Sequence, residues 1–381
     1  MSQSVPKLSQ KTLGLRGLGQ GTPPLRGCGV PCPKTAPEDS ELKRYWLVNE
    51  SAPHYNLGLE KARRWLERQG HEVVYAPFSM EARAFDAVWF SVIFSWHLPR
   101  VFEHAALAHA WGKSVEIGGP ATAVNAGQIE KTTGVKPFTG VDHRFETEPG
   151  EYLATFTHRG CVRNCTWCIV PKTEGDVQEI PDFIPAKMVH DNNFPATSEA
   201  HQVRAIERLS KAVDRVDFDQ AFDARLFDQW HLDLYKKAKP LVWRFSFDFW
   251  GIQPDIERVC GLFQKEGLMD RHKVTIFALV GFGEGMEKDI ARVQRIAELG
   301  AYPYPMRYVP LDSLEKRPPA KGWDANPGMI TQLKRFYGDP IGKKYLQNEG
   351  WKDKSDDSFE NWMKRIKPKQ AGQQSQIPMA L

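Results

Sequence analysis

The sequence predicts an α/β protein with two successive sheets. Short apolar runs alternate with segments of helical period from residue 45 to about residue 310, and glycines or polar residues end many of these segments. Strands that are separated by helices of this length pair in parallel through right-handed crossovers. The first series therefore predicts an open parallel sheet. The second series counts six strands, two short of a complete eightfold barrel.

Length and composition exclude several classes of protein. A chain of 381 residues is long enough for two domains, and 41% hydrophobic residues are typical of a globular protein. We find no run of about 20 apolar residues, which a membrane span requires, and no apolar stretch of the kind that marks a secretory signal. We therefore expect a cytoplasmic protein without membrane partners. The net charge of +4 neither requires nor excludes a nucleic-acid partner.

Residues 1–43 are predicted to form an unstructured tail, because they are rich in glycine and proline and carry no acid before Glu38. A basic, acid-poor start is also typical of a transit peptide, but an unstructured tail is the simpler interpretation. Cys28 and Cys32 lie in this tail. Two thiols cannot complete a metal cluster, so we assign them no role.

Residues 44–145 are predicted to form the first domain. Its strands are expected at 45–48, 73–75, 87–93 and 114–117, and its helices at 57–69 and 102–111.

Residues 146–311 are predicted to form the second domain. Its strands are expected at 153–157, 186–190, 215–218, 242–247, 274–280 and 304–309. Its helices are expected at 198–212, 225–237 and 252–266, with a further helix that ends at 299. Residues 312–381 form a charged C-terminal extension with one amphipathic segment at 329–337.

Three cysteines follow the first strand of the second series, in the run Gly160-Cys161-Val-Arg-Asn-Cys165-Thr-Trp-Cys168. A structural zinc site normally uses four ligands, usually as two separated pairs. Three thiolates in one loop instead suit three corners of an iron–sulfur cube and leave one iron open. A zinc site completed by a distant histidine and a chance triplet are the alternatives.

This run resembles the motif of the radical S-adenosylmethionine (SAM) superfamily, with Trp167 as the aromatic residue before the last cysteine. The resemblance covers about residues 152–311 and implies a partial (β/α)6 barrel of the TIM type. It implies that Cys161, Cys165 and Cys168 hold a 4Fe-4S cluster whose fourth iron binds SAM. The reduced cluster would then cleave SAM to methionine and a 5′-deoxyadenosyl radical that abstracts hydrogen from a substrate.

The same resemblance predicts a SAM-binding set. Asp191, Asn192 and Asn193 follow the second strand of the series, where the family holds the SAM amino group; a polar helix cap before Pro195 is the alternative. Gly281 and Gly283 lie in the turn expected near the adenine, although such glycines also occur in ordinary strand-to-helix turns.

Further candidate residues are chosen by their position along the strand series and not by a motif. Arg225 either binds the SAM carboxylate or pairs with Asp223. Asp248 ends the fourth strand of the series and faces the predicted pocket, and Arg244, Phe282 and Arg307 are candidate substrate contacts. We assign no catalytic residue. The substrate class stays open between a small molecule, a nucleotide and a nucleic acid, and the electron donor would be a flavodoxin or a ferredoxin.

The first domain resembles the Rossmann-like cobalamin-binding domain that many radical SAM enzymes carry. Gly118 and Gly119 match the glycine pair that lies against the cofactor's nucleotide tail, and Ser91 loosely matches a serine element. The cobalt-ligand motif is absent, and His54 is interpreted as an ordinary loop histidine. A degenerate scaffold is favoured over bound cobalamin.

Three other functions are weighed. A cobalamin-dependent radical SAM methyltransferase is the enzymatic alternative, and a binding module with a structural cysteine site is the non-enzymatic one. Methylthiotransferase chemistry is disfavoured, because residues 44–145 contain none of the three further cysteines that it needs. Cys260 stands alone and receives no role.

Overall fold

Parallel strands followed by helices run through the described part of the chain, which is residues 41–318, 323 and 329–338 of this computed structural model. The α/β class with parallel sheets is therefore confirmed. The described residues from Leu42 onward belong to one compact unit that contains both series of strands. Nearly all of the predicted tail, with Cys28 and Cys32, and most of the C-terminal extension lie outside the described residues.

The first sheet has four parallel strands in the order β2-β1-β3-β4. The strands and helices of this part are β1 (Arg44–Asn49), α1 (Leu57–Arg68), β2 (Glu72–Tyr75), β3 (Ala87–Ser91), α2 (Leu98–Ala110), β4 (Ser114–Gly118) and α3 (Thr122–Thr133). We call this part the first lobe. Strand β2 lies on one side of β1, and β3 and β4 lie on the other, so the strand order reverses between β1 and β3. At such a point the carboxyl ends of the two strands border the crevice where open α/β sheets bind ligands.

Local chemistry explains where the first-lobe helices begin. The Asn56 side chain accepts the Leu59 N–H at 3.1 Å and caps α1. Helix α2 begins four residues earlier than predicted, because Pro99 is favourable in the first turn of a helix. Helix α3 was not predicted at all. Two of its three buried positions are the polar residues Thr122 and Asn125, so its sequence lacks an apolar stripe.

The second lobe contains the remaining strands, most of them short. In chain order it comprises β5 (Ala154–Thr155), β6 (His158–Arg159), α4 (Val170–Thr173), β7 (Gln178–Glu179), β8 (Met188–Val189), α5 (Glu199–Ala212), β9 (Asp217–Phe218), α6 (Gln229–Tyr235), β10 (Trp243–Ser246), α7 (Gln253–Lys265), β11 (Val274–Val280), α8 (Met286–Glu298), β12 (Tyr302–Arg307) and α9 (Met329–Gly338).

Strand pairing divides the second lobe into two parallel sheets, β5-β8-β9 and β10-β11-β12. A single parallel bridge between Phe222 and Phe245 joins the segment after β9 to β10. Strands β6 and β7 pair antiparallel and enclose the cysteine run. This pair was not predicted, because two-residue strands are too short to show any periodicity.

An aromatic core fixes which way the second-lobe strands face. Phe218, Phe245 and Phe263 are fully buried in one hydrophobic cluster that includes residues from helices α5 to α8. Side chains alternate between the two faces of a strand, so the neighbours of these core residues point away from the helices. Arg244 and Ser246 of β10 accordingly face the opposite side of the sheet.

A buried ion pair holds the carboxyl ends of β10 and β11. Arg292 donates to the carbonyls of Phe247 and Leu279, each at 2.7 Å, and pairs with Asp289. The Asp289 carboxylate also accepts the Gly281 N–H at 2.7 Å and the Trp323 indole N–H at 2.9 Å. Two strand ends and the turn after β11 therefore depend on one arginine and one carboxylate.

We expect Arg292→Met to destabilise the protein by about 3–5 kcal/mol, because it leaves the Asp289 charge and two carbonyls buried without their partner. Chemical denaturation measures the change. Arg295→Met is the matched control on the same helix; its surface pairs with Glu257 and Glu298 are worth at most about 1 kcal/mol. Equal losses for the two variants would contradict the role given to Arg292.

Candidate functional site

The three clustered cysteines lie on a loop that is closed at its base. Gly160 has φ +75°, and a Cβ there would lie 2.0 Å from the Asp176 carbonyl oxygen, so the position requires glycine. The Cys161 N–H donates to the Gly175 carbonyl at 3.1 Å. The loop between these points carries Cys161, Cys165 and Cys168 as free, half-buried thiols.

The thiols lie close enough to influence one another electrostatically. Burial, together with the charges of Cys165 and Cys161, raises the pKa of Cys168 to about 11. Burial also raises the pKa of Cys165, while the nearby Arg225 guanidinium lowers it. Within the described residues, no three His, Cys, Asp or Glu side chains converge on one point as they would around a single metal ion.

Asn193 connects the cysteine loop to the next strand. Its side-chain N–H lies 3.5 Å from the Cys161 sulfur, which also accepts the Arg163 N–H at 3.4 Å. The Asn193 carbonyl oxygen accepts the Asp223 N–H at 3.3 Å. Both ends of this buried amide are therefore bonded within the protein, and Cys161 receives two N–H donors.

Asp191 is turned into the protein. Its carboxylate accepts the Thr157 N–H at 2.7 Å and the Thr157 hydroxyl at 2.5 Å, and it lies 3.2 Å from the His158 ring. Burial opposes ionisation, but His158 and Thr157 outweigh it and hold the Asp191 pKa below its usual value. The carboxylate thus orders the segment before the cysteine loop.

Asn192 and the cysteine loop share one acceptor. The Asn192 side-chain N–H donates to Glu174 at 2.7 Å, and the same carboxylate oxygen accepts the Gly160 N–H at 2.8 Å. Sequence reasoning missed Glu174. An isolated acid after the cysteine run has no pattern that distinguishes it from a surface residue.

Two guanidinium groups share one carboxylate beside the loop. Asp223 accepts from Arg225 at 2.7 and 2.9 Å and from Arg163 at 2.8 Å. The ion pair between Arg225 and Asp223 is therefore formed, and both arginines stay partly exposed. One buried negative charge therefore lies between two positive ones beside the loop.

Aromatic contacts bring the turn after β11 to the cysteine loop. The Trp167 ring lies edge-to-face with Phe282 at 5.1 Å between centroids and with Phe249 at 6.0 Å. Gly281 has φ +85° and is held by Asp289, whereas a Cβ at Gly283 would meet open space. Trp167, Gly281 and Gly283, which are far apart in sequence, thus lie in one region.

Asp248 lies at the same end of the second lobe. Burial raises its pKa to about 6, although Arg292 and Arg225 lower it. After burial, its negative charge is among the causes that raise the pKa of Cys165 and of Cys168. Asp248 therefore acts electrostatically on two of the three thiols.

A histidine–aspartate pair was also missed by sequence reasoning. His190 follows β8 and Asp219 follows β9, and their side chains meet at 2.7 Å between Nδ1 and Oδ2. Both residues stand one position beyond a buried core residue, Val189 and Phe218, so they face away from the helices. The signal in the sequence was their equivalent position after neighbouring parallel strands.

The candidate substrate contacts Arg244 and Arg307 are bonded within the protein. Arg244 pairs with Asp217 at 2.5 Å and donates to the Phe218 carbonyl at 2.6 Å. Arg307 donates to the Pro318 carbonyl.

In the first lobe, polar side chains near the carboxyl ends of β1 and β3 are hydrogen-bonded within the protein. Asn49 donates to the His54 carbonyl at 2.7 Å, and Asn56 donates to Ser91 at 2.9 Å. Gly119 has φ +101°, and a Cβ there would lie 2.5 Å from the Val92 carbonyl oxygen, so this glycine serves contact with β3. The exposed His54 ring packs edge-to-face on Phe94.

Comparison with known protein families and with curated proteins finds no match for this chain. None of the helices that the structure describes has both the length and the apolar character needed to cross a membrane.

We expect the stability of the metal-free protein to fall as pH rises from about 4 to about 6 through Asp248. Its pKa is raised from 3.8 to about 6 in the folded state, so the folded protein binds the proton more tightly within this window. Asp248→Asn removes the effect and should be about 3 kcal/mol more stable than wild type at pH 7.

Urea denaturation at pH 4.5 and 7 checks this expectation. Asp182→Asn, at a carboxylate that is 96% exposed, is the control. Parallel pH profiles for wild type and Asp248→Asn would overturn it.

Proposed function

We propose that this protein is a radical SAM enzyme. Cys161, Cys165 and Cys168 would hold a 4Fe-4S cluster, and SAM would bind to its open iron. When bound, these groups supply reductive cleavage of SAM to methionine and a 5′-deoxyadenosyl radical, which abstracts hydrogen from the substrate. The observation that supports the proposal most is that the loop carrying three free thiols contacts residues that follow strands β8, β9, β10 and β11.

The strand order of the second lobe supports a partial (β/α)6 barrel. Six parallel strands occur in the sequence β5-β8-β9 and β10-β11-β12, and the Phe222–Phe245 bridge links the two groups. In α/β barrels the active site lies at the carboxyl ends of the strands. The cysteine loop contacts the segments that follow those ends.

The donor set fits an iron–sulfur cluster. Thiolates are its usual protein ligands, and N–H donors to sulfur together with nearby charges tune its potential. Cys161 has two such donors, and Arg225 lies near Cys165. Because the thiols release their protons when they bind metal, the raised pKa values of Cys165 and Cys168 make cluster assembly dependent on pH.

The residues predicted to bind SAM differ in whether their polar atoms already have partners within the protein. Trp167, Gly281 and Gly283 form one wall of the region beside the thiols, and Arg225 presents a partly exposed guanidinium there. Asn192 stays half-buried at the loop base. Asp191 and Asn193 would act indirectly, because their polar atoms already bond to Thr157, Cys161 and Asp223.

We propose that the substrate binds on the inner face of the barrel, which is the side of the strands that faces away from the helices. The His190–Asp219 and Arg244–Asp217 pairs face this side. Tyr304 and Met306 of β12 are exposed, and Tyr304 lies edge-to-face with Phe277 of β11 at 5.4 Å. Polar pairs and aromatic side chains on this side of the strands suit a substrate that has both polar groups and a carbon skeleton.

The first lobe is proposed as a scaffold of Rossmann-like architecture. Its four parallel strands support that architecture, but polar side chains near the carboxyl ends of β1 and β3 form the bonded pairs Asn49–His54 and Asn56–Ser91. No carboxylate among the described residues hydrogen-bonds the His54 ring, and such support orients histidine ligands of metals. These residues do not fit a histidine-ligated cobalamin, and we therefore favour a scaffold over a cobalamin-binding domain.

Cys165→Ala is expected to abolish SAM cleavage, because three thiolates are needed to hold the cluster. After anaerobic reconstitution, 5′-deoxyadenosine formed with dithionite and SAM is measured by chromatography. Cys260→Ala is the matched control, since Cys260 is buried in the second-lobe core away from the loop. Stoichiometric zinc and no deoxyadenosine from wild type would instead indicate a structural site on a binding protein.

Asn193→Ala is expected to shift the cluster midpoint potential to a more negative value, because an N–H donor to the Cys161 sulfur is lost. Spectroelectrochemical titration measures the shift. Asn164→Ala, at an exposed position of the same loop, is the control. Equal potentials in Asn193→Ala and wild type would show that this contact does not reach the cluster.

A further inference from the structure

We propose that Glu174 is a positioning residue for the cysteine loop, and that a chain of buried and half-buried ion pairs links it to helix α1 of the first lobe. The chain runs from Lys61 through Glu146 and Arg159 to Glu174. The purpose of this loop positioning rests on the proposed function, but the ion pairs themselves do not depend on a bound cofactor.

Glu174 holds both sides of the site at once. One of its carboxylate oxygens accepts the Gly160 N–H at 2.8 Å and the Asn192 amide N–H at 2.7 Å. Gly160 immediately precedes the first cysteine, and Asn192 belongs to the turn after β8. The other oxygen lies 3.6 Å from Arg159. Hydrogen bonds to a buried carboxylate are short and strong, so this one group fixes the spacing of the two segments.

Arg159 carries the connection away from the loop. Its guanidinium contacts the Glu146 carboxylate at 3.1–3.3 Å and lies 3.4 Å from the centre of the Phe156 ring. Stacking and a forked ion pair together hold a guanidinium in one orientation. Arg159 therefore places one charged group between two carboxylates, Glu146 and Glu174.

Lys61 anchors the far end on helix α1. Its ammonium group donates to the Glu146 carbonyl at 2.5 Å and lies 3.5 Å from the Glu146 carboxylate. Burial lowers the Lys61 pKa, and the Glu146 charge opposes that effect. The exposed fractions of the four side chains are 7, 8, 16 and 12% from Lys61 to Glu174. Little water reaches the chain, so each charge depends on its neighbours.

Because the charges alternate in sign along this chain of ion pairs, a change in the first lobe affects the cysteine loop. Removing Lys61 leaves Glu146 with Arg159 as its remaining ion-pair partner among the described residues, which draws Arg159 away from Glu174. The loop base then loses part of the charge that holds Glu174. The first lobe thus fixes the position of the cysteine loop, and it needs no cofactor of its own for this role.

The test measures alkylation of each thiol in the full-length, metal-free chain, by brief exposure to iodoacetamide and mass spectrometry. Glu174→Ala should accelerate labelling of Cys161, Cys165 and Cys168 by about tenfold, the effect of losing hydrogen bonds to a buried charge. Glu174→Gln keeps an acceptor but loses the charge that faces Arg159, so its expected acceleration is about threefold.

Lys61→Met tests the link to the first lobe and should accelerate loop labelling about twofold to threefold. Glu207→Gln, at an exposed position of α5, is the matched control and should leave all rates unchanged. Buried Cys260 is the internal reference in every variant, because faster labelling there reports general unfolding.

Each result has a distinct meaning. Wild-type rates in Glu174→Ala would overturn the positioning role, even if the wild type assembles a cluster and cleaves SAM. Wild-type rates in Lys61→Met alone would overturn the connection to the first lobe. Failure of the proposed function appears separately, as a wild type that assembles no iron–sulfur cluster while the thiol rates still respond to Glu174.

A second measurement connects loop order to the cofactor. After anaerobic reconstitution, the electron paramagnetic resonance spectrum of reduced Glu174→Gln is compared with that of wild type before and after SAM is added. We expect a weaker response to SAM in the variant, because an uncharged acceptor holds Asn192 less firmly in register with the loop. An identical response would show that Glu174 orders the loop only in the metal-free protein, and it would overturn the role of Glu174 toward SAM.

Discussion

Buried carboxylates that accept main-chain N–H groups are the interaction on which the rest of the second lobe depends. Asp191 accepts from Thr157, Glu174 from Gly160 and Asp289 from Gly281. Strands of two residues supply few ladder bonds, so the segments after them need other acceptors. A carboxylate fills this role well, because it forms stronger hydrogen bonds than a neutral group. Much of the site is therefore shaped by charge as well as by sheet hydrogen bonding.

Each of these carboxylates has a buried or half-buried basic side chain next to it. Arg292 pairs with Asp289, Arg159 lies next to Glu174, and the His158 ring lies against Asp191. An unpaired buried charge is very costly, whereas a paired one with further hydrogen bonds is tolerated. The aromatic core behind the strands supplies the hydrophobic stabilisation, and the ion pairs select one arrangement of the loops in front of it. This division separates stability from the geometry of the site.

Much of the fold was readable from the sequence, and the misses have physical causes. The long strand β11 and the helices α5, α7 and α8 show clear periodicity, and the structure contains them within a few residues of the predicted bounds. Helix α3 escaped notice, because Thr122 and Asn125 are buried through hydrogen bonds to Gly119 and Ala121 and do not form an apolar face. Helix α6 begins at Gln229, later than predicted, because the Asp228 side chain caps it.

The sequence by itself determined the local chemistry of the candidate site. The spacing of Cys161, Cys165 and Cys168 and the glycine before them need only a short loop after a strand, and they resemble the radical SAM motif directly. Only the tertiary structure decided the roles of their neighbours. Arg163 meets Asp223 across 60 positions, and Lys61 meets Glu146 across 85. Charged pairs at such separations leave no periodic pattern, because the order of the strands, and not the distance along the chain, brings them together.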